Sequence, residues 1–142
     1  MRQILYTSRA SEGDAGTHLP DILFCSRRNN PELGVTGILL VHGDHFLQLL
    51  EGDPEQLDFV VDTIAGDPRH CDMRVILDRT VARPSFPHWS MAALPAGDGA
   101  EDATVQARDF VARSLDPDGI AGEALVEDLA ALRARLKADA VA

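Results

Sequence analysis

The sequence predicts an α+β fold, a ferredoxin-like β-α-β-β-α-β-β sandwich with two additional C-terminal helices. Three observations predict it. Two apolar runs, Val35–His42 and His45–Gly52, flank the turn pair Gly43-Asp44 and read as a hairpin. A helix with a complete start signal follows at once, with Asp53 as cap, Pro54 at the first position and Gln56 completing a capping-box pattern. Strand-like segments then flank this unit on both sides, at Arg2–Ser8 and Met73–Asp78.

Arg2–Ser8 forms the first strand, with Ile4, Tyr6 and Ser8 on one face and Leu5 and Thr7 on the other. Arg9–His18 is small and polar, a loop. A helix is expected from about Leu19 to Asn29, with Pro20 in its first turn and Asn29-Asn30-Pro31 stopping it, because a residue before proline avoids helical angles. In the return arm of the hairpin, Phe46, Gln48 and Leu50 share one face while Leu47, Leu49 and Glu51 share the other. Gln48 is therefore expected to be buried among large hydrophobes. An unpaired buried amide costs roughly 2–7 kcal/mol, so Gln48 requires partners, and it carries donor and acceptor on one group that can turn over.

Along the second helix Leu57, Val60, Val61 and Ile64 form an i, i+3, i+4, i+7 stripe, and Gly66-Asp67-Pro68 ends it. Met73–Asp78 and roughly Pro87–Ala93 complete the sheet. Composition shifts at Pro95-Ala96-Gly97-Asp98-Gly99, which divides the chain into a domain at 1–95 and a helical extension at 96–142 with no separate effector domain. Two helices are expected in the extension, about Ala103–Leu115 and Glu123–Lys137. In the second, Leu125, Leu129, Leu132 and Leu136 make a narrow apolar seam suited to docking on the open sheet face or on a second subunit.

At 142 residues the chain is long enough for a genuine core. Its net charge of −10 argues against nucleic acid as a partner, since phosphate recognition needs clustered Lys and Arg and only Arg27-Arg28 are paired. Cys25 and Cys71 make no CxxC or zinc pattern, and no apolar run has membrane-spanning length. A cytoplasmic protein without a membrane partner is expected. His42 and His45 bracket the hairpin turn without a third ligand and read as surface residues, so no metal is assigned.

Nucleophile-elbow, P-loop, dinucleotide-binding and HExxH motifs are all missing from the sequence, and the chain is read as no enzyme. What remains is a set of polar or aromatic residues on elements that should be core: Tyr6, Asn29, Asn30, Gln48, Trp89 and Met91. Each alone reads as a satisfied structural residue. Together they suggest a flat polar ligand gripped between helices, with a phenol and an amide beneath it.

Five separated blocks then carry a resemblance: Leu5-Tyr6-Thr7-Ser8-Arg9-Ala10, Ser26-Arg27-Arg28-Asn29-Asn30-Pro31, Gly34-Val35-Thr36-Gly37-Ile38-Leu39-Leu40, Phe46-Leu47-Gln48-Leu49-Leu50-Glu51-Gly52, and Asp67-Pro68-Arg69-His70 with Trp89-Ser90-Met91. In these blocks the chain resembles the BLUF family, blue-light sensors using FAD, over nearly two thirds of its length. The resemblance implies a non-covalent flavin, FAD with FMN or riboflavin as alternatives, lying between the two helices. It implies Ile22 and Ile64 as the aliphatic pair around the ring, Asn30 and Arg69 as polar contacts, and Ser26, Asn29 and His70 as neighbouring ones. Tyr6 and Gln48 match the photoactive pair, and Trp89 and Met91 the signalling positions. Thr63 stands where some members place a basic residue, which implies weaker contacts to flavin phosphates. A downstream protein of unknown identity and a homodimer or larger homo-oligomer are the implied partners. Two rivals stay open on the residues: a flavin-free interaction module of the same fold, and a small ferredoxin-like hydrolase using Arg9 and Asn30.

Overall fold

A computed structural model describes residues 1–13, 15–86, 92–94, 101–115 and 122–132, with side chains at 16, 17, 19, 20, 23, 27, 92–94, 101–107 and 132 outside the description. The element order is β1 (Arg2–Ala10), α1 (Ala15–Leu33), β2 (Thr36–His42), β3 (His45–Gly52), α2 (Pro54–Ala65), β4 (His70–Thr80), β5 (Ala92–Leu94), α3 (Glu101–Leu115) and α4 (Gly122–Leu132). The expected βαββαββ order with two further helices is what forms. The sheet runs β4-β1-β3-β2-β5; the first four strands are antiparallel, and β5 joins β2 in parallel.

The hairpin closes as its sequence requires. Gly43 takes a φ of 60° at the first central turn position, and His42 pairs with His45. Farther along, a Cβ on Gly37 would meet the Leu49 carbonyl oxygen at 1.9 Å, so β2 and β3 can approach there only without a side chain. Asp53 caps α2 by accepting a hydrogen bond from the Glu55 N–H at 3.1 Å, with Pro54 in the first turn.

The first helix departs from expectation at both ends. It begins at Ala15, not Leu19, so Pro20 lies in its second turn instead of its first. Ala15 is buried, and its N–H donates to the Gly43 carbonyl at 2.9 Å, so docking on the hairpin starts the helix in a stretch that looks like loop. Nor do Asn29-Asn30-Pro31 stop it. The helix runs on to Leu33 and ends at Gly34, whose φ is 67°. The Val35 N–H donates to the Asn30 carbonyl at 2.9 Å and the Gly34 N–H to the Pro31 carbonyl at 3.3 Å, the paired bonds of a Schellman motif. Proline's fixed φ suits a helix, and this cap outweighs the bias against helical angles before it.

Two apolar layers sandwich the sheet. On one face Ile4, Tyr6, Leu39, Val41, Phe46 and Leu50 pack against α1 and α2. On the other, Leu5, Ile38, Leu40, Leu47 and Leu49 pack with Phe86, Val111, Leu125, Val126 and Leu129. Of the apolar seam, Leu125 and Leu129 therefore dock on the open sheet face of their own chain; the Leu132 side chain and Leu136 lie outside the described residues. The fourth strand is longer than Met73–Asp78. Of the segment read as Pro87–Ala93, residues 87–91 lie outside the description.

Glu51 ties the second layer together. This fully buried carboxylate accepts from the Gln3 Nε2 at 2.9 Å, the Ser85 N–H at 2.7 Å and the Phe86 N–H at 2.8 Å. Gln3, also buried, in turn accepts from the Arg79 Nε at 2.8 Å.

Candidate functional site

Between α1, α2 and the sheet lies an open cleft enclosing about 790 Å³ of space, its solvent-filled mouth included. From α1 come Ile22, Cys25, Ser26, Asn29, Asn30 and Leu33, spaced three and one alternately, which is one helical face. From α2 come Phe59, Val60, Thr63 and Ile64, and from the turn and strand beyond it Asp67, Arg69 and His70. The floor is Tyr6, Ser8, Leu39, Phe46, Gln48 and Leu50.

Tyr6 and Gln48 meet because β1 and β3 pair antiparallel with these two residues directly opposite, both on the helix-covered face. Both are buried, and the Tyr6 hydroxyl donates a short hydrogen bond to Gln48 Oε1. Burial, with the negative charge of Asp67 adding to it, pushes the phenol well above the ordinary tyrosine range. Asn30 is buried at the cavity wall, whereas Asn29 is exposed at the mouth and accepts from the Arg28 Nε at 3.3 Å.

Arg69 lines the cavity but is held by its neighbour. Its Nε donates to both Asp67 carboxylate oxygens at 3.0 and 2.9 Å, and its Nη2 to one at 2.6 Å. These bonds hold the Asp67 carboxyl below the usual carboxylate range. His70 is also committed. Nε2 meets the Ile64 carbonyl, which only accepts, so Nε2 carries the hydrogen and Nδ1 accepts from the Ser8 hydroxyl at 2.9 Å. The ring lines the cavity while both nitrogens fasten β4 to α2 and β1.

Every expected cofactor contact with a described side chain thus falls in one cavity: Tyr6, Ile22, Ser26, Asn29, Asn30, Gln48, Ile64, Arg69 and His70. Trp89 and Met91 lie outside the described residues. The structure adds Cys25 and Asp67 to the cavity lining, neither of which the sequence singles out as a contact. Arg9 does not join them. It sits at the strand end, ion-paired to Asp44 at 3.4 Å and Asp72 at 3.1 Å, apart from Asn30, which removes the hydrolase reading that needed both. Among the described residues no cluster of three or more His, Cys, Asp or Glu could hold a metal, and no helix is long and apolar enough to cross a membrane.

Comparison with known proteins places this architecture. The family model described as BLUF, sensors of blue-light using FAD, matches residues 1–92. The chain belongs to the BLUF family. The solved BLUF protein BlrB, in its dark state, superposes with a TM-score of 0.62 at 30% identity over 78% of this chain and 95% of that one. A bacterial light-regulated adenylyl cyclase superposes with a TM-score of 0.65 at 26% identity, over 79% of this chain and 32% of that one. The blue light- and temperature-regulated antirepressor BluF of Escherichia coli (strain K12) is 35% identical over 74 residues, 52% of this chain and 18% of its own. The chain thus spans less than a fifth of that curated relative.

The BLUF match makes the chain a flavin-binding blue-light sensor. The cavity fits a flavin on its own terms. Aliphatic side chains from both helices, Ile22 and Ile64, line it together with the Gln48 amide and the Tyr6 phenol, and Asn30 and Arg69 add polar groups for a heteroatom-bearing ring.

Proposed function

We propose that this chain signals blue light through rearrangement of the Tyr6–Gln48 hydrogen bond beneath a non-covalently bound flavin. The observation that carries the reading is the buried contact from the Tyr6 hydroxyl to Gln48 Oε1 on the cavity floor. When bound and excited by blue light, the flavin supplies a strong one-electron acceptor. Tyr6 gives up an electron while its hydroxyl proton passes along the existing hydrogen bond to Gln48, and both return. Gln48 accepts from Tyr6 through its oxygen while its NH₂ is the donor end of the same amide; turning or tautomerising the amide reverses that arrangement. The turned Gln48 amide would be the persisting change, and its altered hydrogen bonding to a bound flavin would shift absorption to the red. No substrate turns over.

Ile22 and Ile64 would sandwich the ring, Asn30 and Arg69 would bond its polar groups, and Ser26 and Asn29 would add contacts from α1. FAD is the form the family's description favours. Thr63 and the exposed Phe59 line the cavity from α2, and neither bears a charge for a phosphate, so FMN and riboflavin should bind nearly as well. Trp89 and Met91 are assigned to signalling, and residues 96–142 to a helical extension that passes the change to a separate downstream protein in a cytoplasmic homo-oligomer.

An absorption spectrum before and after blue light tests the reading. The purified protein should be yellow and shift to the red; Gln48→Leu should keep the flavin and lose the shift, and Tyr6→Phe should lose the long-lived state. A normal shift in Gln48→Leu would sink the switch assignment, and a colourless protein would favour a flavin-free interaction module.

A further inference from the structure

The cavity holds a charged pair that the Tyr6–Gln48 switch does not use. Asp67 follows the Gly66 that ends α2, and every hydrogen bond to its carboxylate described above comes from the Arg69 side chain; the Arg69 backbone N–H adds another at 2.9 Å. Both residues line the wall of the same cleft whose floor holds Tyr6. The pair therefore shares one cavity with the photoactive phenol.

We propose that Asp67 is a positioning residue for the photochemistry: it anchors the Arg69 guanidinium at the flavin site as a neutral pair and holds a negative potential at the Tyr6 hydroxyl. The proposal rests on reading Tyr6 as the electron donor. A carboxylate near a phenol opposes loss of the proton alone, yet it favours loss of an electron, because it stabilises the positive charge left behind. Tyr6 is thereby biased toward releasing electron and proton together, the electron to the excited flavin and the proton to Gln48. The same carboxylate offsets the charge of Arg69, which unpaired would make the flavin easier to reduce in the dark. The direction of the Tyr6 titration, raised by burial and then by Asp67, agrees with this geometry.

Tyr6 is the only tyrosine in the chain, so replacing tyrosine biosynthetically with 3,5-difluorotyrosine labels this position alone. The fluorinated phenol ionises near neutrality when free, which brings the titration into a range where the fold survives. His70 and Cys25 also face the cavity, but they are the same in every variant compared. In apoprotein, Asp67→Asn should increase the phenol's ionisation constant by on the order of tenfold, and Asp67→Glu should restore it. With flavin bound, Asp67→Asn should raise the flavin midpoint potential. Arg69→Gln, which leaves the carboxylate unpaired, should move the phenol titration the opposite way.

An unchanged titration in folded Asp67→Asn overturns the proposal, as does an unchanged titration in Arg69→Gln should the first variant not fold. The apoprotein titration needs neither flavin nor light. A lost red shift with an intact Asp67 effect would therefore count against the Tyr6–Gln48 switch and not against this electrostatic role.

Discussion

Removing the Glu51 carboxylate should cost as much stability as truncating a large buried apolar side chain, although the hydrogen-bond partners described for it, Gln3, Ser85 and Phe86, do not line the cavity. In Glu51→Ala, the Gln3 amide and the Ser85 and Phe86 N–H groups lose their charged acceptor in one step. Each buried donor so stripped costs about 1–3 kcal/mol. Relief from burying a carboxylate offsets part of the sum, leaving about 3–5 kcal/mol, as for other broken buried charge networks. Against a total of about 5–15 kcal/mol for a domain, that is a large fraction. With a urea m-value of about 2 kcal/mol/M, the midpoint should fall by about 2 M. Glu51→Gln retains one acceptor oxygen but turns an NH₂ toward donors, and should lose about half as much. Urea titrations followed by circular dichroism read both. A Glu51→Ala midpoint within about 0.5 M of the parent would refute the reasoning, because the three donors would then be no worse off without the carboxylate.

Two further outcomes follow from the fold. Gly37→Ala places a Cβ at 1.9 Å from the Leu49 carbonyl, a clash with backbone that only a shift of β2 against β3 can relieve; a loss of at least about 2–3 kcal/mol is expected, and a near-neutral urea midpoint would show that the strands separate easily there. In acid, the Asp67 and Asp78 carboxyls are held below the ordinary value of 3.8 by hydrogen bonds from Arg69 and Arg2. The unfolded chain then binds more protons in that range, so their stabilisation is complete above 3.8 and is lost as pH falls through the lowered values. Urea midpoints should drop steeply below about pH 4, and Asp67→Asn should flatten that drop; an equally steep fall in the variant would assign acid sensitivity elsewhere.

Much of the cavity was legible because it follows from periodicity. Phe46, Gln48 and Leu50 had to share a face, and strand pairing then set Gln48 opposite Tyr6. Ser26, Asn29 and Asn30 lie on the helical face that also carries Ile22. The ends of α1 were not legible. Its start depends on the Ala15 N–H reaching the Gly43 carbonyl, 28 positions away in sequence, and its stop on a Schellman motif that overrode a proline signal. The relation of Asp67 to Tyr6 was hidden for a different reason. Its sequence context is a turn, and only the tertiary arrangement brings Tyr6 within reach of its charge. Glu51 was assigned the correct face, but its partners at Ser85 and Phe86 come from a loop with no periodicity to read.

The two faces of β3 constrain how any change at Gln48 can reach the C-terminal helices. Gln48 points into the cavity, while its chain neighbours Leu47 and Leu49 are fully buried on the opposite face, in the layer that holds Val111, Leu125 and Leu129. An amide turning about its own side-chain torsions moves no backbone, and so by itself moves nothing in that layer. Coupling therefore requires either that the new hydrogen bond displaces the β3 backbone or that it changes the hold on residues beyond Phe86. A backbone shift would carry Leu47 and Leu49 against close-packed neighbours, which resist small displacements and yield in discrete steps. The other route runs through Glu51, three residues on from Gln48 on the same strand, whose carboxylate grips the two N–H groups leading toward Trp89 and Met91. Glu51→Gln separates the two routes. It leaves the packing of Leu47 and Leu49 intact while loosening the grip on Ser85 and Phe86, so a preserved red shift with altered light-dependent protection of α3 and α4 from hydrogen exchange selects the Glu51 route.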